Sequence, residues 1–207
     1  TAAEAKDADG WRMRALRSAA VTRERFFLPT GLLRTSLEDA NPGLEATALA
    51  LGTAFFTSDE AKRAFAALPR VRHGKFQLLV VRGAFAYGLP DEAVRRIAEH
   101  DWLKMADPAY KGIHTTTECM QFRTKCSWGD EAHPDTSIAG ILSRYVLGVV
   151  PTKPGWAEFK FDPRPPKSVT WAKGAVPTPK GLLRVEWKRD GGRIVEKLSV
   201  PEGLVRR

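Results

Sequence analysis

At 207 residues, with 43% hydrophobic and 28% charged side chains, the chain has an ordinary globular composition and room for one large domain or two small ones. No apolar run reaches the roughly 20 residues that a membrane helix needs. The net charge of +9 invites a nucleic-acid reading, but its distribution argues against one. Residues 1–150 hold 20 Lys/Arg against 18 Asp/Glu, and residues 151–207 hold 13 against 6. The excess is spread as single charges such as Lys160, Lys167, Lys173 and Lys188, with no platform of aromatics among arginines. It reads as a solvated basic face, so neither nucleic acid nor membrane is the expected partner. The start, Thr1-Ala2-Ala3-Glu4, has no methionine and no apolar signal segment. The expectation is that something upstream was removed or that the chain is part of a longer one.

In chain order, residues 8–25 read as a helix with Trp11, Ala15, Leu16 and Ala19 on one face. Pro29 and Gly31 break it, and 32–36 is a short loop or extended piece. After Asn41-Pro42-Gly43 a second helix runs to about Phe56, almost uncharged and therefore buried on most sides. Ser58 is read as the cap of a third helix, with Asp59 and Glu60 in its first turn. Gly74 opens a fourth, over 75–87, apolar nearly all round. Pro90 restarts the chain into a fifth, over 91–105, with Val94, Ile97, Ala98 and Trp102 opposite Asp91, Glu92, Arg95, Arg96 and Glu99. A sixth, over 135–148, carries the stripe Ile138, Ile141, Leu142, Tyr145, Val146 and Val149. Apolar helices alternating with amphipathic ones are what a two-layer ring of helical hairpins requires.

At Pro151-Thr152-Lys153-Pro154-Gly155 the period changes from helical to alternating. Ala157/Phe159/Phe161, Val169/Trp171, Leu183/Val185/Trp187 and Ile194/Leu198/Val200 each mark a strand, with Trp171 and Trp187 expected in the core. Asp190-Gly191-Gly192 is a hairpin signal. The fold class is therefore α+β and multidomain: helices over 1–150, then a small antiparallel β-sandwich over 151–207.

Between the fifth and sixth helices lies the stretch richest in chemistry, residues 112–134, too long and too aromatic for a linker. It holds both cysteines, Cys119 and Cys126, together with His114, Glu118, Trp128, Asp130, Glu131 and His133. Zinc would want more ligands at tighter spacing, so no metal or cofactor is expected. Two reduced thiols or one short-loop disulfide both fit the cysteines.

Four segments resemble a known family. They are Ala46-Thr47-Ala48-Leu49-Ala50-Leu51-Gly52, then His114-Thr115-Thr116-Thr117-Glu118, then the run Ser143–Gly155, and finally Phe161-Asp162-Pro163-Arg164 with Trp171 and Trp187 after it. The second is similar to a Thr-Thr-x-Trp-Glu motif, although Thr117 stands where that motif has Trp. In this order they resemble the back half of bacterial α-L-rhamnosidases of the six-hairpin type, glycoside hydrolase family 78. The resemblance implies the second half of an (α/α)6 toroid of helical hairpins followed by the sandwich. It also implies an inverting glycosidase acting on terminal α-L-rhamnosyl linkages, with one carboxylic acid protonating the leaving oxygen and one carboxylate activating water.

By position Glu118 takes the general-base role, while the general acid belongs to the missing N-terminal half of the enzyme. The family's Ser-aromatic-x-His run stands here as Ser127-Trp128-Gly129-Asp130, so either Asp130 or His133 takes the sugar contact. Trp128 would stack on a pyranose or anchor the loop, and His114 would line the pocket. The implied partner is a rhamnosylated glycoside or oligosaccharide. Two alternatives stand beside this: a related (α/α)6 hydrolase or lyase acting on rhamnose-containing acidic polysaccharide, and a non-catalytic carbohydrate-binding or scaffold module.

Overall fold

A computed structural model of the chain describes residues 7–71, 74–99, 102 and 137–207. Five helices come first: α1 (Ala8–Phe26), α2 (Leu44–Gly52), α3 (Ser58–Ala67), α4 (Gly74–Ala86) and α5 (Pro90–Ala98). After the undescribed stretch come α6 (Ser137–Ile141) and a π-helix, Leu142–Val146, that continues it. The strands follow as β1 (Val149–Pro151), β2 (Glu158–Phe161), β3 (Trp171–Thr178), β4 (Gly181–Asp190), β5 (Arg193–Ser199) and β6 (Val205–Arg206). Among the described residues no helix is long and apolar enough to cross a membrane.

α4 is the hub of the helical part, packed between α2 and α5. Its apolar circumference buries Val80, Val81, Ala84 and Phe85, and α2 contributes Ala48, Ala50 and Leu51 to the same core. Two glycines set how closely these helices approach. A Cβ on Gly83 would stand 2.8 Å from the carbonyl oxygen of Leu51, and one on Gly52 would stand 2.8 Å from Leu79 Cβ. α2 ends at Gly52 rather than near Phe56, because the chain turns through Ala54 at φ +58°. α3 is capped one residue earlier than expected. Thr57 accepts a hydrogen bond from the Glu60 amide, and Glu60 accepts one back from the Thr57 amide, a reciprocal capping box. α1 buries none of its residues, and its apolar face is open, with Trp11 61% exposed.

The β part is two three-stranded sheets, ordered β1-β2-β6 and β3-β4-β5. The second is antiparallel throughout, and its β4–β5 turn is the expected one: Gly191 and Gly192 both have positive φ, the two-residue turn that matches strand twist. The first is mixed, since β2 pairs with β1 antiparallel and with β6 in parallel, which departs from a wholly antiparallel sandwich. Register decides the fate of the two strand tryptophans. Trp171 lies opposite Lys188 and Ala172 opposite Trp187, so the indoles occupy opposite faces of the sheet. Trp187 is buried (1% exposed) beside Leu183, Val185 and Phe159, whereas Trp171, also expected in the core, is 66% exposed.

The helical core and the β core meet at Val146, which packs against both. The last carbonyls of a helix need partners from outside it, and here the β part supplies them. The Trp187 indole N–H donates to Val146 O at 3.0 Å and the Arg164 amide to Tyr145 O at 2.6 Å, and just past the helix the Asp162 amide donates to Gly148 O at 2.8 Å. Gly148 turns the chain at φ +87°, where any Cβ would fall 2.5 Å from Pro163 N. Trp187→Phe keeps the ring in the core but strands the Val146 carbonyl. A loss of about 1–3 kcal/mol in urea unfolding is expected. An unchanged midpoint would mean that the indole N–H contributes only through packing.

Candidate functional site

All five side chains singled out in the sequence, His114, Glu118, Trp128, Asp130 and His133, lie outside the described residues, as do Cys119 and Cys126. What the structure describes is the framework on either side of them. Trp102 and the pair Ile138 and Ile141 are buried in one hydrophobic cluster.

That framework is fixed by a buried arginine. Arg96 was expected on the solvent face of α5, yet it is 1% exposed. Its guanidinium donates to Leu68 O at 2.7 Å, Pro69 O at 3.0 Å and Phe65 O at 3.4 Å, covering the carbonyl end of α3. A cation there complements the negative end of the helix dipole. Arg96 Nε also donates to Glu92 Oε1 at 2.7 Å, and Arg95 grips the same carboxylate at 2.6 and 2.9 Å. Burial alone would raise the Glu92 carboxyl, but the hydrogen bonds from Arg95 and Arg96 outweigh it and hold it below the ordinary range. Gln77 on α4 donates to Arg96 O at 3.2 Å, tying the hub helix to the same network.

The surface opens into two clefts that share Arg144 and Tyr145. One, about 560 Å3, lies between α4 and the 137–146 helix and is lined by Leu78, Leu79, Arg82, Gly140, Ile141, Arg144 and Tyr145. The other, about 360 Å3, continues across the junction with the β part along Ala86, Arg144, Tyr145, Val150, Lys160, Asp162 and Arg164. Tyr145 is held by Phe85, stacked at 4.8 Å between centroids and 2° between planes. Sequence reasoning placed Tyr145 on an apolar stripe and did not single out Arg82 or Arg144. A signal was present: Arg144 is the only charge in 137–150, and Arg82 is the only one in 76–90. Lone charges on otherwise apolar helices mark the faces that are not packed.

Residues 148–205 match the family described as bacterial alpha-L-rhamnosidase C-terminal domain. The fold likeness extends over nearly the whole chain. The GH78 family rhamnosidase of Bacillus sp. GL1 aligns over 96% of this chain and 24% of its own, at 18% identity and TM-score 0.71. The native α-L-rhamnosidase of Aspergillus terreus aligns over 96% and 25%, at 20% identity and TM-score 0.71. The Streptomyces avermitilis α-L-rhamnosidase, solved in complex with L-rhamnose, aligns over 97% and 21%, at 15% identity and TM-score 0.62. The chain thus spans about a quarter or less of the length of each rhamnosidase it resembles. At these identities the likeness is one of fold. No curated protein matches the chain.

Proposed function

We propose that this chain is the back portion of an inverting glycoside hydrolase that removes terminal α-L-rhamnosyl groups. In this reading residues 1–150 are the second half of an (α/α)6 toroid and 151–207 its C-terminal sandwich. Glu118 activates the attacking water as general base, and His114, Trp128, Asp130 and His133 line the sugar cleft. The proton donor is supplied by the N-terminal half of the enzyme, outside this chain. The observation that carries the reading is the match of residues 148–205 to the rhamnosidase C-terminal domain, directly after a helical part of rhamnosidase fold. The motif His114-Thr115-Thr116-Thr117-Glu118 supports it from the sequence side.

Two carboxyl groups flanking the glycosidic bond with room for a water between them give inversion. The test is therefore stereochemical. The full-length protein, given an aryl α-L-rhamnoside in an NMR tube, is expected to release β-L-rhamnose first, with the α anomer growing in by mutarotation. Absence of rhamnose would overturn the substrate assignment, and α-L-rhamnose as the first product would overturn the inverting mechanism.

A further inference from the structure

The two clefts share Arg144 and Tyr145 and so form one groove across the junction of the helical and β parts. Among the described residues four cationic side chains line it, Arg82, Arg144, Lys160 and Arg164, against the single carboxylate of Asp162. That carboxylate is already committed. Arg164 at 2.8 Å and Lys160 at 3.0 Å both bind its Oδ2, and these hydrogen bonds hold its pKa below the ordinary range. Arg82 and Arg144 are exposed and have no ion pair among the described residues; Arg144 lies only over the Tyr145 ring, at 5.6 Å. The floor between the charges is apolar, made by Leu78, Leu79, Ile141 and the Tyr145 ring. Each cleft has the volume of an ordinary ligand pocket, about 300–1,000 Å3.

We propose that this groove binds a carboxylate-bearing glycan, a chain containing uronic acid residues, with Arg82 and Arg144 each gripping a carboxylate. A guanidinium presents a planar fork that matches a carboxylate in two parallel hydrogen bonds. An apolar floor suits the C–H faces of pyranose rings, which a bare polyphosphate lacks. Two clefts in series, each lined by a guanidinium with no ion pair among the described residues, suit a polymer with repeated charges rather than one small acid. The choice of a glycan over other polycarboxylates rests on the proposed carbohydrate function; the charge and shape argument does not.

The test is binding of fluorescently labelled oligogalacturonate to the full-length protein, followed by anisotropy. Binding is expected, and it should weaken as salt rises from about 50 to about 200 mM, as charge-driven contacts do. A neutral malto-oligosaccharide of the same length should not bind. Each of Arg82→Gln and Arg144→Gln is expected to cost about tenfold or more in Kd, the loss of one charge-assisted pair. Both side chains are exposed, so circular dichroism and the melting temperature should stay unchanged. Arg144→Lys should keep part of the affinity. Equal binding of the neutral glycan, no binding of oligogalacturonate, or full affinity in the double Gln variant would overturn the proposal. So would tighter binding of an oligonucleotide or polyphosphate than of oligogalacturonate, which would make the groove a phosphate site. A protein that binds oligogalacturonate but releases no rhamnose would leave this inference standing and sink the rhamnosidase reading; the reverse outcome would do the opposite.

Discussion

Replacing Glu118 by Gln is expected to lower kcat on an aryl α-L-rhamnoside by about 10²–10⁴-fold, the usual contribution of a positioned general base. KM should change little, because the amide keeps the size and polarity of the carboxylate and loses only its ability to accept a proton from water. The pH profile provides the sharper readout. The acid limb of kcat/KM reports ionisation of the free enzyme's essential base, so it should disappear in the variant while the basic limb, set by the proton donor, remains. A variant with full activity, or one whose acid limb is unchanged, would remove Glu118 from the mechanism. The water-activating role would then pass to another carboxylate of the segment, with Asp130 the first to test.

The largest expected effect on stability is at Arg96. Arg96→Met fills similar space but leaves Leu68 O and Pro69 O without a donor and removes one of the two arginines that grip Glu92. Glu92 keeps Arg95, so the loss lies mainly in the stranded buried carbonyls, at about 1–3 kcal/mol each. Denaturant unfolding of the full-length protein should show that loss. Arg96→Lys should fall between, since one ammonium cannot reach three carbonyls and a carboxylate together. A loss below about 1 kcal/mol would put the network in the range of exposed ion pairs.

The same substitution should alter the acid limb of stability. Glu92 has a folded pKa below its unfolded value of about 4.3, so its contribution is present above that pH and is lost as pH falls through the folded pKa. With Arg96 gone the folded pKa rises toward the unfolded one, and that part of the acid destabilisation should shrink.

Much of the fold was legible wherever the deciding interaction is local. The apolar run 78–81 followed by Ala84 and Phe85 specifies α4, Pro90 restarts the chain into α5, and Asp190-Gly191-Gly192 specifies the β4–β5 turn. The elements that sequence reading missed are those set by distant partners. β6 is two residues long and exists only through its parallel pairing with β2, nearly 50 residues upstream. Trp171 and Trp187 look alike in an alternating pattern, and only the β3–β4 register sends one inward and one to solvent. Arg96 looks like its neighbour Arg95 until the carbonyl end of α3 is placed beside it. The π-helical hydrogen bond from the Leu147 amide to Leu142 O replaces an α-helical one without any change in composition.

The candidate site divides in the same way. Glu118 and its companions are named through resemblance to a motif alone, and they lie outside the described residues. Arg82 and Arg144 come from two helices far apart in the chain, and only packing of α4 near the 137–146 helix brings them to one groove.

The closure of the 137–146 helix by the β part has a consequence for biosynthesis. The indole that completes this helix lies 41 residues downstream of the carbonyl it binds. At about 5–20 residues per second, a ribosome needs roughly 2–8 s to add that length. During that interval the helix that follows the candidate catalytic segment has an unfinished end, and Tyr145, Val146 and Leu147 have no sheet to cover them. The end of this helix therefore cannot be completed until the chain through residue 187 has been made.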